Sequence, residues 1–190
     1  MSNIPVLNAG DGPGEHPTQA LLDIYTIHQV MMRNTLDNVR VTFVGDLKYG
    51  RTVHSLSKLL ALYDNVTINM VSPDALRFPQ ELMPELEGCE VREGSEFESF
   101  LPETDILYMT RIQQERFPTQ EEYEKMKSVF VLTPKELENA PSTMSILHPL
   151  PRVDEISPEV DSDPRAKYFD QVRYGLHTRM ALLALALGKL

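Results

Sequence analysis

The chain carries most chemistry where its apolar runs stop. His148-Pro149-Leu150-Pro151 follows Ser145-Ile146-Leu147 directly. Two prolines in four residues remove backbone donors and fix φ, so the chain must leave the strand along a rigid path with bare carbonyls. Such a turn can wall a small ligand, or simply end a strand. A second segment, Asn8-Ala9-Gly10-Asp11-Gly12-Pro13-Gly14-Glu15-His16-Pro17-Thr18-Gln19, approaches a helix through glycines. Pro17 suits the first helical position, which makes His16 the expected N-cap and sets Gln19 over the same turn. Free N–H groups and the positive dipole end favour a phosphate or a polarised carbonyl, and they disfavour an imidazolium at His16. A tight capping turn would read the same way. Two arginines complete the set. Arg51 follows Val44-Gly45-Asp46-Leu47-Lys48-Tyr49-Gly50, and Arg111 follows Tyr108-Met109-Thr110, with Gln113 and Glu115 close behind. A guanidinium at a strand end suits bidentate capture of a carboxylate, with Gln113 adding an amide and Glu115, four residues on, orienting Arg111. Either arginine alone is as well explained by a surface ion pair.

These segments need a scaffold that gathers strand ends. Apolar runs of strand length occur at Val39 to Val44, Val66 to Val71, Cys89 to Arg92, Asp105 to Met109, Val129 to Leu132 and Ser145 to Leu147. They are too continuously apolar for a one-sided sheet. Helical spacing is found at Pro17 to Asn34, Arg51 to Tyr63, Gln80 to Glu87, Thr119 to Lys127, Lys135 to Asn139 and in the last segment from Asp163. The alternation predicts an α/β fold, a doubly wound parallel sheet flanked by helices, whose ligands bind beyond the carboxyl ends of the strands. Met180 to Leu187 is apolar on more than one face, as in a helix packed on both sides.

Composition narrows the classes. The 190 residues carry a formal charge of −10 with no basic stripe, which argues against nucleic acid and anionic membranes. No run approaches a membrane span and residues 1–8 lack a signal-peptide pattern, so a soluble cytoplasmic protein is expected. The single cysteine, Cys89, excludes an intrachain disulfide and any multi-cysteine metal site. No metal-ligand spacing occurs among the acids, and neither glycine loop fits the G-x-G-x-x-G dinucleotide pattern. No metal and no organic cofactor is expected, and an unrelated nucleotide-binding protein is disfavoured.

Asp11-Gly12 through His16-Pro17-Thr18-Gln19-Ala20-Leu21-Leu22-Asp23, then Gly45-Asp46-Leu47-Lys48-Tyr49-Gly50-Arg51-Thr52-Val53-His54-Ser55, Met109-Thr110-Arg111-Ile112-Gln113 and His148-Pro149-Leu150-Pro151-Arg152-Val153-Asp154-Glu155-Ile156 resemble, in order, the catalytic chain of the aspartate carbamoyltransferase family. The sister family acting on ornithine shares the His-Pro-x-Gln element but is expected to carry His-Cys-Leu-Pro and Ser-Met-Gly motifs instead. The resemblance implies transfer of a carbamoyl group from carbamoyl phosphate to L-aspartate, in pyrimidine biosynthesis. His16 (the catalytic assignment) and Gln19 would contact the carbonyl oxygen and amide of carbamoyl phosphate. Leu150 and Pro151 would hold its amino end through backbone carbonyls, across a cis bond. Arg51, Arg111 and Gln113 would clamp aspartate, with Glu115 orienting Arg111.

Nowhere in the chain is there the Ser-Thr-Arg-Thr phosphate loop that the family carries in an N-terminal domain. Residues 1–190 therefore read as the aspartate-binding domain, with domain-crossing helices at about 17–34 and 174–190 and the carbamoyl phosphate domain absent. Apolar surface on those helices should stay exposed unless a partner covers it. The resemblance further implies a homotrimer with sites shared between neighbouring catalytic subunits, and leaves a regulatory chain open. A non-catalytic aspartate-binding module, or an inactive relative, is the alternative.

Overall fold

The computed structural model describes residues 4–12, 14–112, 119–121, 123 and 130–189. Five parallel strands form one sheet: β1 (Arg40–Val44), β2 (Thr67–Val71), β3 (Glu90–Gly94), β4 (Ile106–Met109) and β5 (Ser145–Leu147), in the order β3-β2-β1-β4-β5. Alternate side chains feed two cores. Val41, Phe43, Ile68, Met70, Ile106, Tyr108 and Leu147 pack on one face with helices α1 (Pro17–Met31) and α2 (Arg51–Leu60). Val44, Val71, Leu107, Met109 and Ile146 pack on the other, against Phe97, Leu101, Leu137 and Tyr168, where helix α3 (Tyr168–Ala186) begins. Burial on both faces explains why β1, β2, β4 and β5 read as largely continuous apolar runs, while edge strand β3 is mostly exposed. One polar seam crosses the second face: Asn69 donates to the Thr42 hydroxyl at 3.0 Å, which in turn pairs with Thr104 at 2.6 Å.

Where the elements differ from expectation, the causes are local. Leu132 forms only an isolated parallel bridge to Ile156, with its N–H and C=O taken by Glu155 and Ser157, so this run pairs with the chain after the His148 turn instead of adding a sheet strand. Val129 and most of Thr119 to Lys127 lie outside the described residues. The segment Gln80–Leu86 is a 3-10 helix with Pro84 inside it; proline lacks the N–H that an α-helix needs there. Glu136–Asn139 is likewise 3-10, a single turn too short to propagate. Helix α1 stops at Met31 rather than Asn34 because Met32 takes a left-handed conformation (φ 53°), and α2 stops at Leu60 rather than Tyr63. Helix α3 runs Tyr168–Ala186, starting before and ending before the span expected at 174–190.

Helix α3 packs along α1. Its outer stripe, Val172, Leu176, Met180 and Leu183, with Leu187 just past its end, is exposed at spacings of three and four residues and forms one apolar face. Among the described residues, no helix is long and apolar enough to cross a membrane.

Candidate active site

The strand order places β2 on one side of β1 and β4 on the other. The connection leaving β1 therefore diverges from the one leaving β4, and a crevice opens at their carboxyl ends. Val44 and Met109 are register partners, so Gly45 and Thr110 emerge side by side. The two loops are stitched together. The Thr110 N–H donates to the Val44 carbonyl at 2.8 Å, the Thr110 hydroxyl donates to the same carbonyl at 3.0 Å, and the Asp46 N–H donates to the Thr110 hydroxyl at 3.0 Å. Gly45 sits at φ 119°, and a Cβ there would lie 2.3 Å from the Thr110 carbonyl oxygen, so glycine is required for this approach.

A cavity of about 520 Å³ lies over these ends. Its lining brings together His16, Gln19, Arg51, Arg111, Leu150 and Pro151, six of the eight residues singled out by sequence. Gln113 and Glu115 lie outside the described residues. The lining also includes Gly12, Asp46, Tyr49, Thr52, Thr110 and His148, of which the sequence had singled out none as a ligand contact.

His16 is the N-cap residue of α1, as expected, but its side chain makes no cap bond. The cap is made by its carbonyl, which accepts the Gln19 and Ala20 N–H groups at 3.0 and 3.1 Å. The ring is therefore not consumed by the helix. Its Nδ1 is buried with no hydrogen-bond partner among the described residues, leaving Nε2 as the nitrogen a ligand can reach. Burial, with the Arg51 and Arg179 guanidinia nearby, holds the imidazole below its ordinary value of 6.5, in a neutral form able to donate one hydrogen bond. The backbone before it is pinned to α2: the His16 N–H donates to Ser55 at 2.9 Å, Ser55 donates to Glu15, and Lys58 pairs with Glu15 at 2.6 Å and with Glu85 at 2.9 Å.

Arg51 opens α2 and donates to the Gly12 carbonyl at 2.8 Å, tying the glycine approach to the cavity wall. Gly10 makes room for it, since a Cβ there would lie 2.9 Å from the guanidinium Nη1.

The His148 turn is rigid for reasons beyond its prolines. The Leu150 N–H donates to His148 Nδ1 at 2.8 Å, so Nδ1 must be an acceptor and Nε2 carries the proton given to Glu155 at 2.7 Å. Burial pushes the Glu155 carboxyl up, but hydrogen bonds from His148 and from the backbone outweigh it and hold the group below its ordinary value. The Leu150-Pro151 bond is cis, and Leu150 has φ 41°. The other histidines are structural or peripheral: buried His54 donates to the Leu47 carbonyl at 2.8 Å, His28 bridges Arg33 and Tyr63, and His177 is exposed.

The family model described as aspartate/ornithine carbamoyltransferase, Asp/Orn binding domain, matches residues 37–186. The chain belongs to the aspartate/ornithine carbamoyltransferase family. The companion model for the carbamoyl-P binding domain matches residues 1–29. Over its whole length the chain is 52% identical to the aspartate carbamoyltransferase catalytic subunit of Thermococcus onnurineus, covering 61% of that relative. It is 56% identical to the multifunctional protein pyr1-3 of Dictyostelium discoideum over 97% of its own length and 8% of that protein. Among solved structures, the catalytic subunit of M. jannaschii aspartate transcarbamoylase superposes with a TM-score of 0.90 at 46% identity, over 98% of this chain and 60% of that one. Aspartate transcarbamoylase from Trypanosoma cruzi in complex with aspartate and phosphate gives 0.85 at 42% identity, over 96% and 57%. The chain thus spans about three-fifths of the length of these catalytic-subunit relatives.

Proposed function

We propose that this chain supplies the aspartate-binding half of an aspartate carbamoyltransferase, and that the reaction needs a carbamoyl phosphate-binding half beside it. The observation that supports this reading is the convergence, in one cavity at the sheet's switch point, of a neutral His16, Gln19, two arginines and the carbonyl-rich Leu150-Pro151 turn from four separate segments. A dianionic amino acid suits Arg51 and Arg111, whose forked donors match carboxylates. A carbamoyl group suits the rest: its oxygen can accept from His16, and its amide can donate to Gln19 and to the carbonyls of the turn.

The aspartate amine attacks the carbamoyl carbon, and the carbonyl oxygen takes negative charge as a tetrahedral intermediate forms. His16 is placed to stabilise that charge as a neutral donor. Collapse expels phosphate, which takes up the amine proton, and N-carbamoyl-L-aspartate remains. Positioning of two bound reactants supplies the main rate advantage. Under this reading the exposed stripe of α3 packs against the carbamoyl phosphate half, and complete catalytic chains form a cytoplasmic homotrimer; a regulatory chain stays open.

The test mixes the chain with the carbamoyl phosphate-binding domain of a relative, such as that from T. onnurineus, and assays carbamoyl-aspartate. Product formation is the expected result. Aspartate binding without turnover would leave a non-catalytic binding module in its place.

A further inference from the structure

We propose that Asp23 is a positioning residue whose carboxylate sets the amide orientation of Gln19 and, through Gln171, the backbone of the His148 turn, so that one buried group aligns two walls of the cavity. The inference rests on the carbamoyl transfer reading. Asp23 lies one turn after Gln19 on α1 and is completely buried. Its Oδ1 accepts from Gln19 Nε2 at 2.9 Å and from Gln171 Nε2 at 2.6 Å, while Oδ2 accepts from the Tyr108 hydroxyl at 2.7 Å. Helices α1 and α3 and strand β4 therefore meet at a single carboxylate.

The orientation of each amide follows from which groups can only donate. Gln171 Oε1 accepts the His148 N–H at 2.9 Å, and a backbone N–H has no acceptor role, so Nε2 is the end of Gln171 that faces Asp23. Oδ1 of Asp23 accepts that amide, and Gln19 likewise presents Nε2 to it. The Gln19 carbonyl oxygen is the end left for the cavity, where it accepts from an N–H donor such as the carbamoyl amide. Reversed, Gln19 would show that amide two N–H groups and oppose it. The His148 turn is tied to the same carboxyl group, because the Gln171 amide that accepts the His148 N–H is itself anchored on Asp23.

Asp23→Leu and Asp23→Asn separate this role from mere packing. Leucine fills the space without an acceptor. Asparagine keeps an acceptor at Oδ1 and can donate through Nδ2 to the Tyr108 hydroxyl. In the chain combined with the carbamoyl phosphate-binding half, Asp23→Leu should lower kcat by about 10- to 100-fold with a much smaller change in KM for aspartate. Asp23→Asn should recover most of that loss. Full turnover in the leucine variant, or an asparagine variant as poor as leucine, would overturn the proposal.

A second readout needs no activity: exchange of the Gln19 side-chain amide protons by NMR in the full chain, assigned by their absence in Gln19→Glu. They should be protected in the unsubstituted chain and in Asp23→Asn. Unprotected protons in the unsubstituted chain defeat the proposal even if Asp23→Leu does not fold. Absence of turnover with protected protons would count against the carbamoyl transfer reading and leave the positioning role standing.

Discussion

Replacing Asp23 with asparagine removes a buried titratable group while keeping its volume and an acceptor oxygen. Burial pushes the Asp23 carboxyl up to about 7 from its ordinary 3.8, against the opposing pull of hydrogen bonds from Tyr108, Gln171 and Gln19 and of the Arg179 charge. Tyr108 on β4 and Arg179 on α3 are the titratable or charged neighbours. The Tyr108 hydroxyl is itself driven well above its ordinary value by burial and by Asp23, and stays protonated. Because the folded chain holds the Asp23 proton more tightly than the unfolded chain, the contribution of this group is full below pH 3.8 and is lost as pH rises through about 7. Linkage then gives a loss of about 2 to 3 kcal/mol between roughly pH 5 and pH 8 in the parent chain that Asp23→Asn does not suffer. Urea unfolding of both proteins across that range measures it, with other titrating groups cancelling in the difference. The asparagine variant should gain on the parent as pH rises. A stability difference that stays constant within about 0.5 kcal/mol from pH 5 to pH 8 would refute the reasoning.

Other substitutions probe the remaining supports of the site. Gly45→Ala places a methyl group 2.3 Å from the Thr110 carbonyl at a positive φ, and should cost about 3 kcal/mol or more in a denaturation experiment. Glu155→Ala leaves the buried His148 Nε2–H without its acceptor, for an expected loss of about 1 to 3 kcal/mol; an unchanged urea midpoint would contradict the tautomer deduced for His148. Arg111→Ala should weaken aspartate binding to the reconstituted enzyme by about 1.5 to 3 kcal/mol by calorimetry, and equal affinity would remove Arg111 from the clamp. Since His16 is held below 6.5 in the folded chain, its neutral form persists as pH falls to 6.5, and the acid limb of kcat should lie lower still. A limb centred at or above 6.5 that disappears in His16→Gln would exclude a neutral His16 as the required form.

Much of the site could be read in the sequence because its parts are short local motifs with their own physical signatures. Pro17 after His16 marks a helix start, Gly45 and Gly50 mark bends after the strongest strand, and two prolines mark the His148 turn. Strands β1, β2, β4 and β5 follow from apolar runs for the same reason, whereas edge strand β3, Glu90–Gly94, holds Val91 alone as an apolar side chain and is largely exposed. The misassigned elements are those decided by non-local partners. Leu132 pairs with Ile156, beyond the His148 turn, and the 3-10 segment at Gln80–Leu86 is shaped by one proline against otherwise helical spacing. Asp23 shows how a supporting residue escapes notice. Its position four residues after Gln19 is visible, but Tyr108 lies 85 residues and Gln171 148 residues away, and only packing reveals that all three donate to it.

By itself the sequence determined the kinds of chemical group available, the bends that carry them and the parallel α/β plan, since these depend on residue type and on neighbours within one turn or strand. The tertiary structure alone decided which groups share a cavity, because the order β3-β2-β1-β4-β5 brings the ends of β1 and β4 together across 66 residues of chain. It also decided protonation and orientation. Neutral His16, the Nε2–H tautomer of His148 and the outward oxygen of Gln19 all arise from burial and from donors supplied by distant segments, which no local pattern encodes.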